Sequence, residues 1–358
     1  MAETAFSRDD LRAAVAAGAL TEAQATRVLT LAEERVGTRA AQVADDEPFE
    51  LFRGFSEIFV TVGLGLLFSA VLPFAFALGR PAVLLVAVAV VCFYLARYFT
   101  LKRRMVLPSI ALVIGYAFCV FGTVADLTGQ WSLSLTGSTL WGFVVCGVTA
   151  AALAIWYRVF RLPFTMFLIG LTGMAFVAIA TKSLVPVTLG AEFTDLFDLR
   201  SGYNLAFGTL IFGICAFLVG MWFDMSDPHR LGRKAASGFW LHLLAALALV
   251  NTVALTFYNM QTATGYALLA LSLAIIACLA LIIDRRSFLT AGIGYIAVLL
   301  GVVLRTAEGD NMWLWILLIL GIFVTLLGTY WTETRGKLLR ALPDFPGKSK
   351  LPPYMELT

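Results

Sequence analysis

DMSDPHRLGRKAASGFWLHLLAALALVN, Asp224 to Asn251, is the stretch from which the fold is read. Acids, bases, both histidines of the chain and a tryptophan crowd its start and run directly into an apolar segment. Through its end and just beyond, Gly238, His242, Ala245, Leu249, Thr252 and Thr256 recur at steps of 4, 3, 4, 3 and 4, which puts them on one stripe of a helix. That stripe is small and polar beside a leucine-rich remainder, the pattern of a membrane helix whose polar side faces a bundle interior. Asn251 stands nine residues from His242, about 900° of helix rotation, so it belongs to the opposite face and cannot share a site with His242 on this helix alone.

The rest of the chain extends the same reading. Of 358 residues, 60% are hydrophobic and 14% charged, with a mean hydropathy of +0.88, a composition that belongs to polytopic membrane proteins. Ten apolar spans follow one another: Ser56 to Leu78, Pro81 to Leu101, Met105 to Ala125, Thr139 to Tyr157, Leu162 to Thr181, Tyr203 to Phe223, Gly238 to Tyr258, Ala263 to Ile283, Ser287 to Leu304 and Met312 to Trp331. Each is close to the ~20 residues a helix needs to cross a hydrocarbon layer of ~30 Å. Glu57 and Arg97, ionisable residues within these spans, lie near span ends, where they can reach the interface. The expected fold is therefore all-α, a transmembrane bundle of about ten helices.

Charge orients the bundle. Alternate connections must lie on opposite sides, and 22 of the 26 Lys and Arg then fall with the two termini, leaving only Arg80, Lys182, Arg200 and Arg305 on the other side. By the positive-inside rule both ends are cytoplasmic. One span more or fewer would scramble that split, so the ratio supports the count too. The eight tryptophans all fall at or near span ends, as an interfacial belt requires. The opening MAETAFSRDD is polar and acidic rather than a basic and then apolar leader, so the first span is expected to direct insertion. A net charge of +3 offers no nucleic-acid surface. Cys92, Cys119, Cys146, Cys215 and Cys278 lie inside apolar runs without CxxC spacing and read as small hydrophobes.

Polar ends flank the bundle, giving three regions: 1–50, a cytoplasmic helical hairpin and acidic linker; 51–334, the membrane domain; and 335–358, a basic, proline-rich tail. In the hairpin, Ser7 with Asp10 and Thr21 with Gln24 mark two helix starts, and Gly18 supplies a left-handed stop between them. So short a unit buries too little to stand alone; it packs on the membrane domain's loops or on a cytoplasmic partner protein. The tail carries Arg335, Lys337 and Arg340 and then four prolines, so it cannot be a single helix; a surface strap or a disordered end is expected rather than a signalling motif. Basic residues leading into a helix recur at LKRRMVLPSIALVIGY, RVFRLPFTMFLIG and IDRRSFLTAGIGY, a weak echo consistent with hairpin duplication.

Intramembrane ionisable groups are costly and mark candidate sites. Those here gather toward the cytoplasmic side: Glu57, Asp224, Asp227, His229, Arg230, Arg233 and His242, with Trp240 beside them as a further candidate site residue. Such a cluster suits an anionic lipid head group, a small ion or a proton, while topology and pairing at helix ends explain the loop charges equally well. Two further contact stripes are read from spacing: Ser109, Leu112, Tyr116, Cys119, Thr123 and Asp126 on span three, and Thr61, Gly65 and Ser69 on span one. No catalytic residue, cofactor or metal site is indicated: two histidines thirteen positions apart do not make a ligand set, and HExxH, GxSxG, Walker and dinucleotide signatures are missing.

The run DPHRLGRKAASGFWLHLLAA resembles a motif in a group of uncharacterised bacterial multi-spanning inner-membrane proteins, and DRRSFL is similar to the same group. LRAAVAAGALTEAQATRVL looks like the hairpin that begins many such proteins. The resemblance covers about a fifth of the chain and implies a bacterial inner membrane with lipids as its surroundings; the group's activity is unassigned, so no residue role carries over. On these grounds the sequence is read as a non-catalytic membrane scaffold or sensor with a cytoplasmic-side polar site, the alternative being a permease for a small solute, ion or lipid.

Overall fold

A computed structural model describes residues 55–77, 81–129, 139–184, 197–202, 204–226, 233–304, 312–348 and 351–352, together with scattered positions between 11 and 28 and Gly79. It is all-helical over these residues. The helices are α1 (Phe55–Ala77), α2 (Pro81–Ala96), α3 (Val106–Thr128), α4 (Thr139–Phe160), α5 (Phe164–Leu184), α6 (Asn204–Met225), α7 (Arg233–Tyr258), α8 (Ala263–Ile283), α9 (Ser287–Leu304), α10 (Met312–Thr329) and α11 (Trp331–Ala341). Helices α1 to α8 are long and apolar enough to cross a membrane, and the α10–α11 pair, bent by 70° at Tyr330, makes a ninth if taken as one span. The chain is thus a multi-pass membrane protein. The expected N-terminal hairpin falls mostly outside the described residues; Gly18 has φ +71°.

Helices form here because hydrocarbon offers backbone amides no partner but their own carbonyls. The surface is correspondingly inverted relative to a soluble protein. Phe55, Phe59 and Leu66 on α1, Ile211 and Leu218 on α6 and Leu317 on α10 are exposed, whereas Thr149, Thr209, Thr252 and His242 are buried. Consecutive helices pack as antiparallel neighbours, and α7 is the hub, touching α5, α6, α8 and α9. At 26 residues it is the longest helix, about 39 Å at 1.5 Å per residue. It begins at Arg233, five residues ahead of the apolar run, because Arg, Lys and Ala are good helix formers and carry the turn onward into the interface.

The turns after α1, α3 and α5 each contain a left-handed glycine, Gly79, Gly129 and Gly202, while those after α2, α4, α7 and α8 use Arg104, Arg161, Gln261 and Asp284 at φ 54°, 49°, 50° and 58°. A left-handed residue with a Cβ costs about 1–2 kcal/mol, so the second set is held by something further; at Asp284 the holding contacts are described below. Just before Arg104, residues Arg97–Lys102 form a π-helical turn continuing α2.

Two expectations from the sequence are corrected. The stripe Thr61, Gly65 and Ser69 does not form the contact face of α1: Gly65 and Ser69 are exposed, and α1 packs through Leu64 and Phe68 instead. The small residue is on the partner, since a Cβ on Gly115 of α3 would lie 2.6 Å from the Phe68 ring. The tryptophans, too, divide. Trp141, Trp222 and Trp315 are exposed near helix ends, but Trp156 and Trp331 are buried, drawn inward by an aromatic cluster in one case and a carboxylate in the other.

Candidate functional site

The polar side of α7 is buried as its spacing predicted: Gly238, His242, Ala245, Thr252 and Thr256 are all closed off, and only Leu249 is partly open. The facing helix is α6. Two matching pentapeptides form the seam between them, GMWFD at Gly220 to Asp224 and GFWLH at Gly238 to His242. Because the helices are antiparallel, the glycine of each lies under the polar side chain of the other. A Cβ on Gly220 would come within 3.0 Å of the His242 ring, and one on Gly238 within 2.4 Å of Asp224 Oδ1. The glycines let two helices approach closely enough for Asp224 and His242 to meet.

They meet directly, with His242 Nε2 2.9 Å from Asp224 Oδ2. Arg285, in the α8–α9 turn, completes the group. Its Nε donates to Asp224 Oδ2 at 3.0 Å, its Nη2 donates to Asp224 Oδ1, and Nη2 also donates to the Ala235 carbonyl at 2.9 Å. This two-pronged grip matches the planar guanidinium to the carboxylate. Asp224, His242 and Arg285 are 4%, 0% and 1% exposed. Phe217 and Phe288 pack on the imidazole with ring centres 5.5 and 5.9 Å away. A carboxylate in such surroundings persists because a cation is fixed against both of its oxygens.

The turn that supplies Arg285 is anchored from its other side. Asp284 accepts a hydrogen bond from Trp331 Nε1 at 2.7 Å and lies 3.7 Å from Arg335 Nε. Arg335 in turn donates to the carbonyls of Leu281 at 3.1 Å and Pro352 at 2.6 Å, while Arg286 sits over the Trp331 ring at 5.6 Å. The left-handed Asp284 thereby directs one side chain to α11 while its neighbour reaches into the core. Within the tail, α11 comes first, and the Arg335–Pro352 contact ties a later described residue back to it.

Of the candidate residues, the structure joins Asp224 and His242. Glu57 is on a different interface: its Oε2 accepts from the amides of Val106 and Leu107 at 3.0 and 3.1 Å, capping α3. A carboxylate there meets the free amides and positive end of the helix. Trp240 packs edge-on against Phe164 and Phe167 of α5, at 4.8 and 5.5 Å. Arg233 begins α7. Asp227, His229 and Arg230 lie outside the described residues. Arg285 was missed because a basic residue in a turn expected on the inside is what the charge rule alone requires; the repeated G-x-W-x-Asp/His pattern was the available signal for the Asp224–His242 pairing.

Farther along α7 the polar stripe continues. Thr252 and Thr209 hydroxyls are 2.8 Å apart, and Thr256 accepts from the Leu199 amide at 3.0 Å. Asn251, on the other face, receives a hydrogen bond from Tyr295 of α9. Among the described residues no three His, Cys, Asp or Glu converge on a metal-sized site. No family model matches the sequence, and no curated protein or solved structure matches it.

Proposed function

We propose that this chain is a non-catalytic scaffold or sensor of a bacterial inner membrane, crossing it ten times with both ends in the cytoplasm. The observation that carries the reading is the closure of the ionic site. Both oxygens of Asp224 are engaged by Arg285 and His242, and all three residues are sealed from their surroundings. A permease needs polar groups that a solute can reach and leave; here those groups are committed to one another. Their effect is to tie α6, α7 and the α8–α9 turn together. Through Asp284, the same turn holds α11 and the chain near Pro352. Docking of the tail and integrity of the buried group therefore favour one another, which is the coupling a sensor requires.

The orientation is supported by the 22 to 4 division of basic residues. The N-terminal region is read as the arm that engages a cytoplasmic protein.

Proteoliposomes containing the full chain and a lumenal pH dye test the central point. Under an imposed pH gradient, wild-type and His242→Ala vesicles are expected to leak at the protein-free rate. A flux carried by the wild type and abolished by His242→Ala would reinstate the permease. Deleting residues 1–45 is expected to abolish complementation of a deletion strain while leaving the membrane domain folded. Retained complementation would remove the recruiting role. Compartment-sensitive reporters fused to both termini should answer alike.

A further inference from the structure

A second feature lies in the other half of the molecule. A cleft of about 550 Å³ runs between α2 and α3, with Val148 of α4 at its edge. Its walls are apolar along most of their length, including Val86, Val90 and Val124; the Thr123 hydroxyl beside Val124 donates to the Cys119 carbonyl, Tyr116 lies midway, and Arg97 supplies the charge at the other end. Val86, Val90 and Val148 are 48%, 50% and 43% exposed, so the cleft opens sideways onto the surface that faces hydrocarbon.

Its length and polarity match one class of molecule. From Val86 to Arg97 is eleven residues of α2, about 16 Å along the helix axis, which is half of a ~30 Å hydrocarbon layer and so the depth of one leaflet. Arg97 is exposed, belongs to the π-helical turn that ends the span, and has no ion pair among the described residues. A guanidinium at that level faces phosphate oxygens, which it can grip with two parallel hydrogen bonds. Lys102, Arg103 and Arg104 follow immediately. Lys102 and Arg103 rest against the Tyr98 ring at 5.8 and 5.6 Å, a positive surround that favours lipids carrying net negative charge.

We propose that the α2–α3 cleft is a binding site for an anionic glycerophospholipid, with its phosphate on Arg97 and an acyl chain along Val90, Val86 and Val124. The Tyr116 ring flanks the chain. The site is separate from the Asp224 group and does not depend on that group's role.

The test is native mass spectrometry of full-length protein delipidated in detergent and titrated with phosphatidylglycerol, phosphatidylcholine and, as a soluble head group, glycerol 3-phosphate. The wild type is expected to retain one phosphatidylglycerol at least ten-fold more strongly than phosphatidylcholine and to ignore glycerol 3-phosphate. Arg97→Gln should erase the preference for the anionic lipid. Val90→Trp, which fills the apolar trough from its exposed side, should abolish retention of both lipids, and Leu140→Trp, at an exposed position on α4, should change neither. Melting temperatures of the variants verify folding. Equal retention by wild type, Arg97→Gln and Val90→Trp would overturn the assignment, as would saturation by glycerol 3-phosphate.

Discussion

The two halves of this bundle are held by different forces. In α1 to α5 the core is Leu64, Cys92, Leu112, Leu153, Trp156 and Phe160. Trp156 lies 4.6 Å from the rings of both Tyr116 and Phe160, and 5.8 Å from Phe93 in an edge-on contact. Around α7 the core is interrupted by Asp224, His242 and Arg285. In lipid there is little hydrophobic gain in bringing helices together, so the first half relies on dispersion spread over many atoms. The second relies on a few polar contacts made strong by a low dielectric. Damage to the first should be graded, and damage to the second should depend on whether a partner is left behind.

The largest expected effect follows from that contrast. Arg285→Met leaves Asp224 buried without its cation, and removal of one member of a buried ionic group costs about 3–5 kcal/mol. Thermal unfolding in detergent should report it. The triple variant Asp224→Leu, His242→Leu, Arg285→Met should recover most or all of that loss, since apolar replacement of a whole buried ionic group is often neutral or stabilising. If single and triple variants are equally unstable, the half around α7 is held by packing after all and the contrast disappears.

Next in size is the seam. Gly238→Ala would drive a methyl to 2.4 Å from Asp224 Oδ1, and overpacking of this kind costs about 1–3 kcal/mol. Gly220→Ala, meeting the imidazole at 3.0 Å, should cost less. Gly63 and Gly147, with nothing within 4 Å, give the control: alanine there should be neutral or slightly stabilising through helix propensity. Unfolding midpoints of the four variants rank them directly. An equal loss at Gly147 would show that glycine is needed for reasons other than contact.

Glu57 tests the exception within the apolar half. Glu57→Ala removes the acceptor for two amides at the start of α3, and loss of a capping group costs about 0.5–2 kcal/mol. Glu57→Gln keeps an acceptor and gives up the charge at the helix end, typically about 0.3–1 kcal/mol. The difference between the two, read from the same melts, separates hydrogen bonding from charge.

These residues also show how far the sequence could be read. Helix positions were legible because a 20-residue apolar run admits one backbone solution in lipid; α8 and α9 fall on the residues expected. The buried side of α7 was legible because small and polar residues at helical spacing amid leucine have nowhere else to face. Partnership was harder. Asp224 and His242 were placed in one cluster by being near the same membrane face, which named them together with six other residues and singled out no pair. The same reasoning drew in Glu57, since depth in the membrane says nothing of position around the bundle. Arg285 stayed hidden because its sequence neighbours, Asp284 and Arg286, look alike as loop charges. What separates them is the left-handed turn at Asp284, which no side-chain pattern announces. The contact face of α1 was misread because glycine and serine stripes mark close approach only when a partner helix is there; Phe68 against Gly115 supplies the contact instead.

Trp156→Phe should produce a small loss, and it probes the comparison from the apolar side. Trp156 is fully buried, and its indole Nε1 has no hydrogen-bond partner among the described residues. The fold therefore carries a desolvated donor there, and phenylalanine removes that donor without orphaning an acceptor. Against this stands the space vacated by the larger ring. Phe93, Tyr116 and Phe160 surround the position with rings that can shift toward it, so the two effects should largely offset and leave a loss of about 1 kcal/mol. A loss approaching that of Arg285→Met in the same melting assay would mean that the indole N–H is bonded. The aromatic half would then also hang on a single polar contact, and the distinction between distributed and concentrated cohesion would fail.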